Sequence, residues 1–162
     1  MTSANGSQVL RGDIDGDSYL VVESRRTHCE GQEQVTGIEV VEEDENILGS
    51  EWNTVLYSYA DVGGGGCRPA MAAWLRDPAL SSSGGSEVGG TFLWVWAVHP
   101  DVTSVRITTD DDVVDLAPYS VDGAGYALYE VPKDVETYTV ELMIGDSPVP
   151  GTREEKQVPA LR

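Results

Sequence analysis

The sequence predicts an all-β chain folded as an antiparallel β-sandwich. Three observations carry that prediction. The stretch from Thr91 to Leu116, TFLWVWAVHPDVTSVRITTDDDVVDL, reads as three strands in succession. Other short apolar or alternating runs recur along the chain, with turn signals about every eight to twelve residues. The 18 Gly and 8 Pro punctuate those runs, and no helix–strand alternation of the kind a parallel sheet needs is present.

In the central run, Phe92, Trp94, Trp96 and Val98 share one face of an extended segment, and Leu93, Val95 and Ala97 share the other. Both faces are apolar, which predicts a central strand buried on both sides. Pro100 removes a ladder donor and ends the run. Val105 and Ile107 then alternate with Ser104, Arg106 and Thr108, and the acidic turn Asp110-Asp111-Asp112 sends the chain back as Val113-Val114-Asp115-Leu116.

Taken in order, residues 1–10 read as a flexible tail and residues 11–162 as one domain, long enough for a substantial core. Arg11 to Ser18 reads as a polar loop, Tyr19 to Glu23 as a first strand and Ser24 to Gly31 as a charged connection. Val35 to Val41 is the second strand, and Glu42 to Asn46 a solvated acidic run. Trp52 to Tyr59 is the third, with Val55, Tyr57 and Tyr59 facing one way and Leu56 and Ser58 the other. Gly63 to Gly66 can only be a loop.

Pro69 to Arg76 has helix-forming composition, so at most one short helix is expected near 69–76, with a strand as its rival. Ser81 to Gly90 (SSSGGSEVGG) reads as a flexible linker or long exposed loop, the one place for a sub-boundary. Asp122-Gly123 signals a turn before a strand from Tyr126 to Val131. Thr137 to Ile144 alternates, with Tyr138, Val140, Leu142 and Ile144 inward. Pro148 and Pro150 mark an edge, and Lys156 to Leu161 supplies a last short strand. Eight or nine strands in this arrangement suggest an immunoglobulin-like or related sandwich.

The path from Trp94 to Arg106, an apolar strand followed by Pro-x-Val-x-x-Val-x-Val-like spacing, then a return strand and the Tyr-rich run from Tyr126 to Pro132, resembles exported actinobacterial β-domains of unknown function. The resemblance covers about residues 91–145. It departs at the turn, where Asp110-Asp111-Asp112 replaces the usual Asp-Gly. It implies an extracytoplasmic domain, often tethered to a membrane, and no activity.

Charge narrows the partners. With 28 acidic and 10 basic residues the chain carries a formal charge of -18. Phosphate repels it, so nucleic acid and anionic membrane surfaces are poor partners. A protein partner or self-association is left, with membrane attachment only through a removed anchor to which the polar start would be the tether. Cys29 and Cys67 are even in number and include no Cys-x-x-Cys pair, so one disulfide and an oxidising compartment are expected. Such a bridge would add roughly 3–4 kcal/mol by restricting the unfolded chain.

Candidate chemistry is sparse. Asp13, Asp15 and Asp17, in the run GDIDGDS, place three carboxylates at alternate positions, a pattern that could converge on Ca²⁺. The run fails as an EF-hand, because Ser18 stands where Gly is needed and Ser24 where Glu is needed. It resembles the calcium loop of FG-GAP repeats, without the later Asp and in a single copy. Arg11-Gly12-Asp13 spells an integrin-recognition tripeptide. Trp94 and Trp96, with Trp52, Tyr57 and Tyr59, could form an aromatic platform for a sugar ring, although such residues are more often core. Only two histidines are present, His28 and His99, and no Gly-x-Ser-x-Gly, His-Glu-x-x-His or phosphate-binding loop occurs. A zinc site from His28, Cys29, Cys67 and His99 is disfavoured because neighbouring strand residues point to opposite faces. The expected function is a non-catalytic binding or structural domain of a cell-envelope protein. A calcium-dependent or carbohydrate-binding module and a self-assembling surface subunit are the alternatives.

Overall fold

The computed structural model describes residues 9–12, 19–27, 34–46, 49–59, 77–88, 91–121 and 123–159. Their thirteen strands form three antiparallel sheets. The first sheet is a meander of β1 (Val9–Gly12), β2 (Tyr19–Thr27), β3 (Gln34–Asn46) and β4 (Gly49–Tyr59). The second contains β5 (Ser81–Val88), β6 (Thr91–Val98), β9 (Tyr119–Val121) and β10 (Ala124–Val131), in the order β5-β6-β10-β9. The third contains β7 (Ser104–Thr108), β8 (Val113–Leu116), β11 (Thr137–Ile144), β12 (Ser147–Pro148) and β13 (Glu154–Gln157). Its order is β12-β11-β7-β8, with β13 also on β11.

The second sheet is the middle layer. Leu93, Val95 and Ala97 of β6, with Tyr126 and Leu128 of β10, pack against Val21, Ile38, Val40 and Leu56 of the first sheet. On the opposite face Phe92, Trp96 and Val98, with Ala127, Tyr129 and Val131, pack against Val105, Ile107, Tyr138, Val140 and Leu142 of the third. The strand with two apolar faces is therefore buried on both, as its sequence requires. The register Trp96↔Ala127 sets a small residue opposite the largest one, so the indole fits without pushing the layers apart.

The second and third sheets form an antiparallel β-sandwich. The order β5-β6-β10-β9 opposite β8-β7-β11-β12/β13 follows the A-B-E-D and C-F-G strand orders of the immunoglobulin plan, with β8 added beside strand C. That plan joins strands B and F through a disulfide in antibody domains. The corresponding β6 and β11 contain no cysteine, and an aromatic cluster bridges them. Trp96 meets Tyr138 edge-on, with ring centroids 6.4 Å apart at 83°. Tyr138 meets Tyr129 at 5.3 Å and 72°.

Several sequence expectations change. The SSSGGSEV segment is no linker: β5 pairs with β6 along its whole length, from Ser81↔Val98 to Val88↔Thr91. Its small residues suit an edge strand overlain by large rings. A Cβ on Gly85 would lie 2.5 Å from Trp94 Cε3 and 2.7 Å from Phe92 Cε1, whereas one on Gly84 would meet nothing within 4 Å. The acidic run Glu42–Asn46 is strand too, because hairpin pairing with Gly49–Asn53 overrides its weak β-propensity. β1 takes Arg11 and Gly12 out of the expected polar loop, and β2 runs on to Thr27. Near the end of β11, Ile144 is 39% exposed and Met143 is buried in its place, since the chain is turning through Gly145 (φ 60°) into β12. The described residues contain no helix, and the segment 69–76 lies outside them. Of the expected tail 1–10, residues 1–8 also lie outside them, while Val9 and Leu10 are strand, paired in β1 with β2.

Gly85→Ala is expected to lower unfolding stability by about 1–3 kcal/mol, the cost of overpacking, while Gly84→Ala stays within about 0.5 kcal/mol of the parent. Urea titrations of the two variants check this, and equal effects would contradict the close packing over Gly85.

Candidate functional site

The aromatic residues of β6 divide by burial. Trp96 is 2% exposed and belongs to the core. Trp94 is half-buried, 6.3 Å from Trp96 and tilted by 44°. Its ring lies over Gly85 and carries the Lys156 ammonium 5.2 Å from its centroid. Lys156 in turn pairs with Glu154 at 3.1 Å. Trp94 and Trp96 therefore share no open face on which a sugar ring could stack. The side chains of Trp52, Tyr57 and Tyr59 lie outside the described residues.

His99 is buried at the turn after β6. Its Nδ1 accepts a hydrogen bond from the Asp101 backbone N–H at 3.0 Å, which fixes the turn at the Pro100 corner. Glu39 is a second buried polar residue, and the Thr54 hydroxyl donates to its Oε2 at 3.3 Å. Within the Val35 to Val41 run, Glu39 stands between the apolar Ile38 and Val40, and alternation alone gives no sign of its burial. On the third sheet, Arg106 spans to Asp115 with Nε–Oδ1 at 2.8 Å and Nη2–Oδ2 at 3.1 Å. The bidentate bond holds the Asp115 carboxyl below its usual range, and both groups remain open to solvent.

Two concavities lie at the end of the sandwich where the β10–β11 connection passes β13. A cleft of about 550 Å³ has Phe92, Val131, Val135 and Val158 in its lining, with Lys133, Glu136, Thr137 and Gln157 among its polar residues. A smaller recess of about 170 Å³ shares Val135, Glu136 and Thr137 with it and adds Thr109, Asp110, Asp111 and Asp134. The backbone bond from Val158 N–H to the Glu136 carbonyl, 2.8 Å, ties the chain after β13 to this wall. His99 lines neither concavity. The sequence reading passed over this site because its residues come from four separate segments, each unremarkable alone.

Asp13, Asp15 and Asp17, the expected Ca²⁺ ligands, lie outside the described residues, as do His28 and the expected disulfide pair Cys29 and Cys67. Arg11 and Gly12 are paired in β1, opposite Val21 and Leu20. Among the described residues no group of three or more His, Cys, Asp or Glu converges in a way that could hold a metal ion. Compared with known families, with curated proteins and with solved structures, the chain matches none.

Beneath the site, the Tyr138 hydroxyl is buried without a hydrogen-bond partner among the described residues. Burial raises its phenol well above the usual value near 10, with smaller contributions from Tyr129 and Glu154. Burial, aided by the charges of Asp112 and Asp134, raises the Tyr129 phenol as well. A folded-state pKa above the unfolded one adds stability that is complete below the unfolded value and is lost as pH rises past it. Tyr138→Phe is thus expected to keep or slightly raise stability at neutral pH, since no bond is lost, and to move alkaline unfolding to higher pH. Melting curves between neutrality and about pH 12 check both. A loss above about 1 kcal/mol at neutrality would mean the hydroxyl has a partner that matters.

Proposed function

We propose that the protein is a non-catalytic binding or structural domain displayed outside the cytoplasm, as part of a cell-envelope protein. The observation that carries this reading is the disposition of polar residues around the layered core. His99 and Glu39 are engaged in holding backbone or neighbouring side chains, and the open concavities lie at a sandwich end among connections. That is where β-sandwiches present their binding surfaces, with the strands acting as a rigid frame. The even cysteine count and the resemblance of residues 91–145 to exported β-domains support the extracytoplasmic part of this reading.

Fractionation of source cells, followed by mass analysis of denatured protein treated with an alkylating agent, tests this. The protein is expected with the envelope or in the medium, with Cys29 and Cys67 taking adducts only after reduction. A cytoplasmic protein alkylated at both positions without reductant would contradict the assignment. Catalytic turnover that survives purification and is abolished by His99→Ala would contradict the non-catalytic reading.

A further inference from the structure

We propose that the cleft beside β13 binds an extended peptide segment carrying a basic side chain next to an apolar one. The proposal rests on the binding reading above and names its site and the chemistry of its partner. The cleft, about 550 Å³, has the size of a pocket that takes a few side chains rather than a flat interface. Val135 and Val158 are half-buried and give an incoming apolar side chain a surface to cover, with Phe92 and Val131 beneath them.

Charge specifies what sits beside that apolar group. The wall formed by Val135, Glu136 and Thr137 is common to the cleft and the recess. Within the cleft Lys133 and Glu136 offset one another, so the local sign comes from Asp110, Asp111 and Asp134 in the recess. None of those three carboxylates has a salt-bridge partner among the described residues. They do not converge as a metal would require, so the complementary group is a spread or mobile cation at the end of a side chain, as in Arg or Lys. The overall charge of -18 draws such a partner in over a longer range.

An extended backbone also has somewhere to lie. Among the described residues β13 pairs only with β11, through Thr137↔Gln157 to Val140↔Glu154, so none of them pairs with its outer edge. That edge leads through Gln157 into the cleft at Val158. A segment added along it would gain main-chain hydrogen bonds, and its end beyond Gln157 would reach the cleft, whose Val135–Glu136–Thr137 wall adjoins the recess.

The test is fluorescence anisotropy of a labelled acetyl-heptapeptide of alternating Leu and Arg, titrated with the full chain at low salt. Two variants each remove two exposed carboxylates. D111N/D134N alters the recess, and D101N/D146N alters the opposite end, where Thr103 and Gly145 meet. Saturable binding is expected, weakened about fivefold or more by D111N/D134N and changed less than about twofold by D101N/D146N. Replacing Leu by Ser in the peptide is expected to weaken binding by a similar factor. Equal weakening by both variants would reduce the effect to general attraction to an acidic surface, and absence of saturable binding would remove the site. Either result leaves the fractionation and thiol tests of the envelope reading untouched, so the two failures are distinguishable.

Discussion

Burial of both faces of β6 and β10 is the constraint on which this fold depends. A strand that places Trp96 on one side and Val95 on the other cannot meet water on either without exposing a broad apolar surface. One covering layer comes from β7 and β11, which yields the sandwich core around Trp96, Tyr129 and Tyr138. The other comes from the β1–β4 meander, which places Val21, Ile38 and Val40 on the opposite face. The first sheet therefore completes the domain. Without it Leu93, Val95, Tyr126 and Leu128 would form an open patch.

The same constraint explains how the sandwich does without a bridge between β6 and β11. Trp96, Tyr138 and Tyr129 form an edge-to-face chain across the layers. Truncating any one of these rings in a core costs roughly 3–5 kcal/mol, comparable to what a disulfide contributes. The rings also impose a requirement on the neighbouring edge: β5 must carry glycine beneath Trp94 and Phe92. With the faces of the middle sheet committed to packing, the strand ends and connections are left to meet other molecules. The cleft by β13 lies at one of those ends.

Much of this was legible in the sequence. Alternating or doubly apolar runs located β6, β7, β10 and most of β11, because each buries one or both faces. β8 was legible only from the acidic turn before it, and its Val113 and Val114 are exposed. The double apolar face of β6 anticipated a middle layer. The reading failed where pairing overrode composition. SSSGGSEV looks like a linker to any rule based on propensity, and only at Gly85 do the rings of Trp94 and Phe92 explain why the strand carries a small residue. The acidic stretch after Val41 is held in β3 by its hairpin partner. Ile144 was placed inward by extending the alternation one residue past the point where the strand turns. The cleft was invisible because Phe92, Val135 and Val158 meet only after the sheets stack.

A single substitution tests the double burial most directly. Val95 faces the first sheet, away from the sandwich core. If β1–β4 covers that face, Val95→Asp places an unpaired carboxylate in an apolar interior. Urea or thermal unfolding should then show a loss of about 3 kcal/mol or more, or no folded protein at all. A change within about 0.5 kcal/mol, the size usual for an exposed strand position, would show that face to be open and would contradict the three-layer account.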